Sequence, residues 1–73
     1  MTLRELYDKT FSSLYIWNEK GVTEKDRIDS NNLYELQDRK IESVEPCIVQ
    51  LDDDGKIKEM AYQGIAALKI KFE

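Results

Sequence analysis

The chain has 73 residues and a net charge of −4 at pH 7, and 41% of its residues are hydrophobic while 36% are charged. This length allows one small domain over 1–73, and four tyrosines, two phenylalanines and one tryptophan argue against a disordered chain. The basic residues are dispersed along the sequence, which argues against direct binding of nucleic acid through its phosphates.

The chain begins with a helix signal. The stretch TLRE at 2–5 has the form of a capping box, in which Thr2 and Glu5 satisfy each other's backbone N–H groups. Apolar and aromatic residues then recur at the spacing of one helix face, at Leu3, Leu6, Tyr7, Thr10 and Phe11. This pattern predicts a first helix over 3–11 that ends at two serines.

A strand is predicted directly after this helix. The stretch LYIWN at 14–18 is rich in β-branched and aromatic residues, with Leu14 and Ile16 on one face and Tyr15 and Trp17 on the other. The stretch NEKG at 18–21 is typical of a turn. For 22–28 three interpretations stay open: a short edge strand, an irregular loop, or a short helix capped by Thr23.

The second half of the chain holds another helix and most of the strand signal. Residues 29–39 predict a short helix capped by Asp29 or Ser30. Residues 40–51 are typical of an extended chain, in which Pro46 indicates an edge position, a bulge or a break. Residues 56–73 give the clearest strand pattern, and Gly64 marks a bulge or bend within it. Its apolar face consists of Ala66, Leu68, Ile70 and Phe72, while Lys69 and Lys71 point the other way.

The order of these elements predicts an α+β fold. Short turns between successive strands favour antiparallel pairing, and two short amphipathic helices cover one side of a sheet. We therefore expect a small two-layer domain, with an antiparallel sheet of three to four strands and two short helices on one face.

Three stretches carry a resemblance to a known type of protein. TLRELYDK at the start, LYIWNEKG at 14–21, and LYELQDRKIESVEP ahead of an acidic turn resemble small uncharacterised proteins of bacteriophages and prophages of Gram-positive bacteria. The resemblance covers most of the chain and has no diagnostic motif. It implies a small α+β fold and an accessory role in phage biology, and it implies no site residue and no activity.

The acidic stretch VQLDDDGKIKE at 49–59 invites comparison with a calcium-binding loop. If Gly55 takes the glycine position of an EF-hand loop, Ala61 takes the position of the bidentate glutamate, so the pattern fails. The pair Asp54–Gly55 between two extended apolar runs instead predicts a hairpin turn. We expect Asp52, Asp53 and Asp54 to form an acidic patch on that turn and not a metal site.

Little else in the sequence points to chemistry. The chain has no histidine and one cysteine, Cys47, which excludes Cys–His and Ser–His dyads and the common zinc sites. The three glycines are too widely separated to form a phosphate-binding loop. We expect no catalytic, cofactor-binding or metal-binding residues, no cofactor, and a protein that is not an enzyme.

The most informative candidate site is an aromatic and basic surface. If Leu14 and Ile16 face the helices, Tyr15 and Trp17 face away from them and share a side of the sheet with Lys69 and Lys71. Exposed aromatic side chains often mark a contact surface. The alternative is that the chain itself, or a second copy, covers this side of the sheet.

Together these observations predict a non-enzymatic accessory protein of phage or prophage type that binds a host or phage macromolecule, with a protein as the expected partner. Two alternatives stay open: an acidic nucleic-acid mimic that inhibits a host defence or nucleic-acid-binding protein, and an oligomer that binds a small molecule. A homo-oligomer is compatible with the small core. The MTLRELYDKT start lacks an apolar signal segment and no apolar run approaches the roughly 20 residues that span a bilayer, so we expect a cytoplasmic protein without membrane contact.

Overall fold

Two helices lie on one face of a four-stranded sheet in the computed structural model, which describes residues 1–73. The elements are α1 (Leu3–Lys9), β1 (Ser13–Ile16), a short 3-10 helix (Glu24–Asp26), α2 (Ser30–Leu36), β2 (Ile41–Leu51), β3 (Ile57–Met60) and β4 (Ile65–Phe72). This arrangement confirms the predicted two-layer α+β domain. Neither helix has the length and hydrophobicity needed to cross a bilayer.

The sheet has the order β1-β4-β2-β3 and is mixed. β2 pairs antiparallel with β3 and β4, as predicted, whereas β1 lies parallel to β4, so the expectation of a wholly antiparallel sheet was wrong for β1. Short turns favour antiparallel pairing only between strands that follow each other closely in the sequence. β1 pairs with the last strand of the chain, and the long connection between Ile16 and Ile65 permits a parallel pair.

The helices and one sheet face enclose the first core cluster. It consists of Leu3 from α1, Leu33 from α2, Leu14 from β1, Ile70 from β4, and Ile28. The predicted apolar faces of β1 and β4 are thus confirmed at these positions. At roughly 1.5–3 kcal/mol per fully buried aliphatic side chain, such clusters supply most of the stability that a domain of this size has.

The first helix is shorter than predicted. It ends at Lys9, because Thr10 is already extended (φ −120°, ψ 147°) and its hydroxyl accepts a hydrogen bond from the Ser12 N–H at 3.1 Å. Phe11, which the periodicity placed on the apolar helix face, is fully exposed instead. Since β1 begins at Ser13, the chain must leave the helix before Phe11 can reach the core.

Residues 17–28 cover the opposite face of the sheet. Thr23 forms a bridge with Lys58 on the outer edge of β3, and Arg27 forms a bridge with Tyr15 on the outer edge of β1. Between these bridges lies the three-residue 3-10 helix, with Thr23 as its N-cap, so 22–28 combines the short helix capped by Thr23 with single bridges to the sheet edges. The segment closes the sheet over a second core cluster of Tyr15, Val22, Cys47, Val49 and Ala67.

Gly64 and Pro46 have the local roles that the sequence indicated. Gly64 adopts a φ of 153° in the bend between β3 and β4, which confirms a break in the long strand pattern. Pro46 pairs with Leu68 of β4, while β3 pairs only with 48–51 of β2. One side of β2 is therefore open at Pro46, where a residue without an N–H is tolerated.

The capping box at the start of α1 gives a first testable prediction. The Glu5 N–H donates to the Thr2 hydroxyl at 3.3 Å, and the Thr2 N–H donates to the Glu5 carboxylate at 3.1 Å. Thr2→Ala should lower the free energy of unfolding by about 1 kcal/mol, whereas Thr2→Ser keeps the hydroxyl and should cost far less. Urea titration of the three proteins measures the difference, and equal midpoints for both variants would contradict the cap.

Candidate functional site

The sheet face that carries Tyr15, Trp17, Lys69 and Lys71 is the first candidate site. Tyr15 and Lys69 are direct neighbours in the β1–β4 register, and the Lys71 ammonium lies 5.0 Å from the centroid of the Trp17 ring. The predicted placement of these four side chains on one side of the sheet is therefore correct. The last pair has the geometry of a cation–π interaction.

The expectation that this face is open was wrong for two of the four residues. Tyr15 is 1% exposed, and the side chain of Lys69 is 17% exposed and ion-paired. The reason is the 17–28 segment, which folds over this face and places Val22 in the cluster with Tyr15. Burial also raises the pKa of the Tyr15 hydroxyl. Trp17 remains 37% exposed beside Lys71, at the margin of the covered area.

Glu59 fastens the 17–28 segment to the sheet, a role that sequence reasoning missed. One carboxylate oxygen accepts a hydrogen bond from the Val22 N–H at 2.9 Å, and the other accepts from the Lys69 ammonium at 2.9 Å. The Glu59 N–H also donates to the Val22 carbonyl at 3.1 Å. The hydrogen bond from Val22 and, after it, the contact with Lys69 outweigh burial and lower the pKa of Glu59, and the same pair raises the pKa of Lys69.

Removing the charge of Glu59 should weaken the fold in a pH-dependent way. We expect Glu59→Gln to lower the free energy of unfolding by about 1–2 kcal/mol at pH 7, because charge-assisted hydrogen bonds are lost. The folded pKa lies below the ordinary value of 4.5, so this difference persists above 4.5 and disappears as the pH falls through the lower folded value. Denaturant titrations at neutral and acid pH measure it.

Glu45 provides the matched control for this prediction. Its carboxylate also faces Lys69, but at 4.0 Å and with more than half of the side chain exposed. Glu45→Gln should change the free energy of unfolding by less than about 0.5 kcal/mol. Equal losses for the two variants would show that Glu59 is an ordinary surface partner of Lys69.

The acidic stretch at Asp52, Asp53 and Asp54 forms the predicted turn between β2 and β3. The Asp52 carboxylate accepts hydrogen bonds from the Asp54 N–H at 2.9 Å and the Lys56 N–H at 2.8 Å. Gly55 supplies the positive φ of 78°. The Asp52 side chain is thus committed to the turn, while Asp53 and Asp54 add exposed negative charge at its tip.

A second surface emerges on the helix side of the sheet. The pairing registers place Ile48 beside both Ala66 of β4 and Met60 of β3, and place Val44 and Pro46 further along β2 on the same side. None of these five residues belongs to either core cluster or to the partly buried residues packed against them. We call these five residues the helix-free patch. The two helices cover the part of this sheet face formed by β1 and β4, and they leave the five residues uncovered.

The helix-free patch borders the acidic β2–β3 turn. Between residues 41 and 55 the chain has five acidic residues and no basic one: Glu42, Glu45, Asp52, Asp53 and Asp54. Of these, Glu45 lies on the opposite sheet face beside Lys69, and Asp52 is committed to the turn. Lys58, opposite Gln50, is the cation that strand pairing places on the same face. The alternation at positions 44, 46 and 48 is visible in the sequence, but only the three-strand register shows that its apolar side joins Met60 and Ala66.

The fold and these surfaces define a small α+β domain with one sheet face closed by its own chain and the other half-covered by helices. Comparison of the chain with family models found no match, and neither did comparison with curated proteins or with solved structures.

Proposed function

We propose that this chain is a non-enzymatic binding protein that docks on a protein partner through the helix-free patch. The observation that supports this proposal is the position of Val44, Pro46, Ile48, Met60 and Ala66 on adjacent strands, outside both core clusters. Val44 is 38% exposed and Ala66 is exposed, while Ile48 and Met60 are half-buried. Contiguous apolar surface of this kind is typical of protein contacts.

The charges beside the helix-free patch indicate the charge expected on the partner's contact surface. The exposed Asp53 and Asp54 at the adjoining β2–β3 turn favour a partner whose apolar contact area has a basic rim. A symmetric contact between two copies would bring the same acidic residues towards each other, which disfavours a homodimer through this patch. The resemblance to small phage proteins supports an accessory role in phage biology, and the single, buried Cys47 fits action in the cytoplasm.

A second candidate function is inhibition of a nucleic-acid-binding protein by mimicry. It is favoured by Asp53 and Asp54, whose charges stand at the tip of the β2–β3 turn next to Asp52. Binding by mimicry depends on charge alone, so it should weaken steeply as the salt concentration rises. Docking through the helix-free patch depends mainly on apolar burial and should persist in high salt.

The test compares three immobilised proteins in capture from a lysate of the cells that carry the gene: wild type, Ala66→Lys and Tyr34→Lys. Ala66 and Tyr34 are both exposed, so neither lysine should disturb the core. We expect one partner to be held by the wild type and by Tyr34→Lys in 0.5 M salt, where the Debye length is only about 4 Å, and to be lost with Ala66→Lys.

Three results would contradict the proposal. Equal capture of the same partner by Ala66→Lys would remove the helix-free patch as the docking surface. Sedimentation that shows a stable wild-type dimer, converted to monomer by Ala66→Lys, would make a second copy the occupant of the patch. Elution of the partner by moderate salt, with loss of capture in Asp53→Asn and Asp54→Asn, would favour mimicry.

A further inference from the structure

Arg27 stands between two clefts of different chemical character at the end of the sheet where β1 and β4 begin. The first cleft, of about 280 Å³, and the second, of about 210 Å³, share Ser13 and Arg27 as lining residues. The first has four hydroxyl-bearing side chains in its lining, at Tyr7, Thr10, Ser12 and Ser13, together with the apolar Phe11, Leu14 and Ile28. The second is lined mainly by apolar ones, at Tyr15, Val49, Leu51, Ile57 and Ile65.

The backbone of Arg27 is held firmly in this position. Its N–H donates to the Glu24 carbonyl at 3.3 Å, and its carbonyl accepts from the Asn32 side-chain amide at 2.7 Å. The next residue, Ile28, donates its N–H to the Leu14 carbonyl at 2.8 Å, which fixes the segment along the edge of β1. A fixed backbone limits the ordering cost when the side chain binds a ligand.

The side chain of Arg27, in contrast, is exposed and forms no ion pair or hydrogen bond with the chain. Both other arginines have a partner, since Arg4 pairs with Asp8 and Arg39 lies over the Phe72 ring. An arginine fork that is unpaired beside hydroxyl donors suits a carboxylate, which it can bind through two parallel hydrogen bonds.

The second, apolar cleft offers a binding surface for a hydrocarbon group next to Arg27. Leu51 is 60% exposed and Ile65 is 68% exposed, although both lie beside the buried Tyr15 and Val49 of the second core cluster. A hydrocarbon group placed between them would remove this apolar surface from water. Apolar walls with a few convergent polar groups are the usual composition of a small-ligand site.

We propose that Arg27 and the two clefts bind a carboxylate attached to a branched or aromatic hydrocarbon group. The carboxylate pairs with the Arg27 guanidinium at the hydroxyl-lined side, and the hydrocarbon enters the cleft between Leu51, Ile57 and Ile65. The same chemistry is offered by a free small carboxylic acid and by the C-terminal residue of a peptide that ends in leucine. This site lies apart from the helix-free patch, so the two proposals stand or fall separately.

The test is a titration of the ¹⁵N-labelled full chain, monitored by amide chemical shifts, with 4-methylpentanoate and with its uncharged amide. We expect saturable shifts at Ser13, Arg27, Ile57 and Ile65 with the acid, and binding about tenfold or more weaker with the amide. A second arm uses acetyl-Ala-Ala-Leu with a free or an amidated C-terminus. Tighter binding of the free-acid peptide than of the small acid assigns the site to peptide termini, and the reverse assigns it to free acids.

Variants of exposed residues separate the two halves of the site. Arg27→Gln should weaken binding of the acid about tenfold or more, while Arg39→Gln removes a cation elsewhere and should leave it unchanged. Ile65→Asp should abolish binding by placing a charge in the hydrocarbon cleft, and it provides a second route if Arg27→Gln fails to fold. Equal affinity for acid and amide, unchanged binding in both site variants, or shifts that never saturate would each overturn the proposal.

Discussion

Gly64→Ala should lower the free energy of unfolding by on the order of 3 kcal/mol or more. A Cβ at this position would lie 2.3 Å from the Val49 carbonyl oxygen and 2.8 Å from a methyl carbon of Ile48. The φ of 153° is itself a conformation that residues with a side chain rarely adopt. Because the β2 backbone lies so close to Gly64, an added side chain forces the β3–β4 bend to move. Thermal or urea unfolding measures the resulting loss of stability.

Gly55→Ala is the matched control for this prediction. Gly55 also has a positive φ, of 78°, but a Cβ there would meet nothing within 4 Å. The cost should therefore be only that of the backbone conformation, about 1–2 kcal/mol. If both variants lose the same stability, the close approach of β2 to Gly64 contributes nothing and the strain of positive φ accounts for the whole effect.

Tyr15→Ala should cost roughly 3–5 kcal/mol, as expected for truncation of a large buried aromatic side chain. The ring is 1% exposed and packs with Val22, Cys47, Val49 and Ala67 beneath the 17–28 segment. Loss of this ring leaves a cavity under the segment, between its attachments to Glu59 and to the edge of β1. Since small domains have only a few kcal/mol of stability, we expect the variant to be largely unfolded near body temperature.

Tyr34→Ala is the control, because Tyr34 is an exposed tyrosine on α2. Its loss should change the free energy of unfolding by less than about 0.5 kcal/mol. Near-wild-type stability of Tyr15→Ala would instead indicate that Tyr15 is exposed, as the aromatic contact face predicted from the sequence requires. Circular dichroism of the variants, followed with urea, separates these outcomes.

Local sequence patterns were enough to predict the helix caps and the tight turn of this protein. The capping box at Thr2 and Glu5, a helix cap at Asp29 or Ser30 and the Asp54–Gly55 turn all depend on neighbours within a few residues. The alternation of β4 also correctly assigned Ile70 to the helix side and Lys69 to the other. Such patterns are readable because hydrogen-bond capping, positive φ and the two-residue period of a strand are local properties.

Which sheet face is open depends on long-range packing that these local patterns do not contain. The path of 17–28 over one sheet face depends on contacts between residues far apart in sequence, such as Glu59 with Val22 and Arg27 with Tyr15. Those contacts bury Tyr15, while the registers of β2 with β3 and β4 bring Val44, Ile48, Met60 and Ala66 together beyond the reach of the helices. Periodicity assigns a side chain to a face of the sheet, but what covers that face is settled by long-range packing.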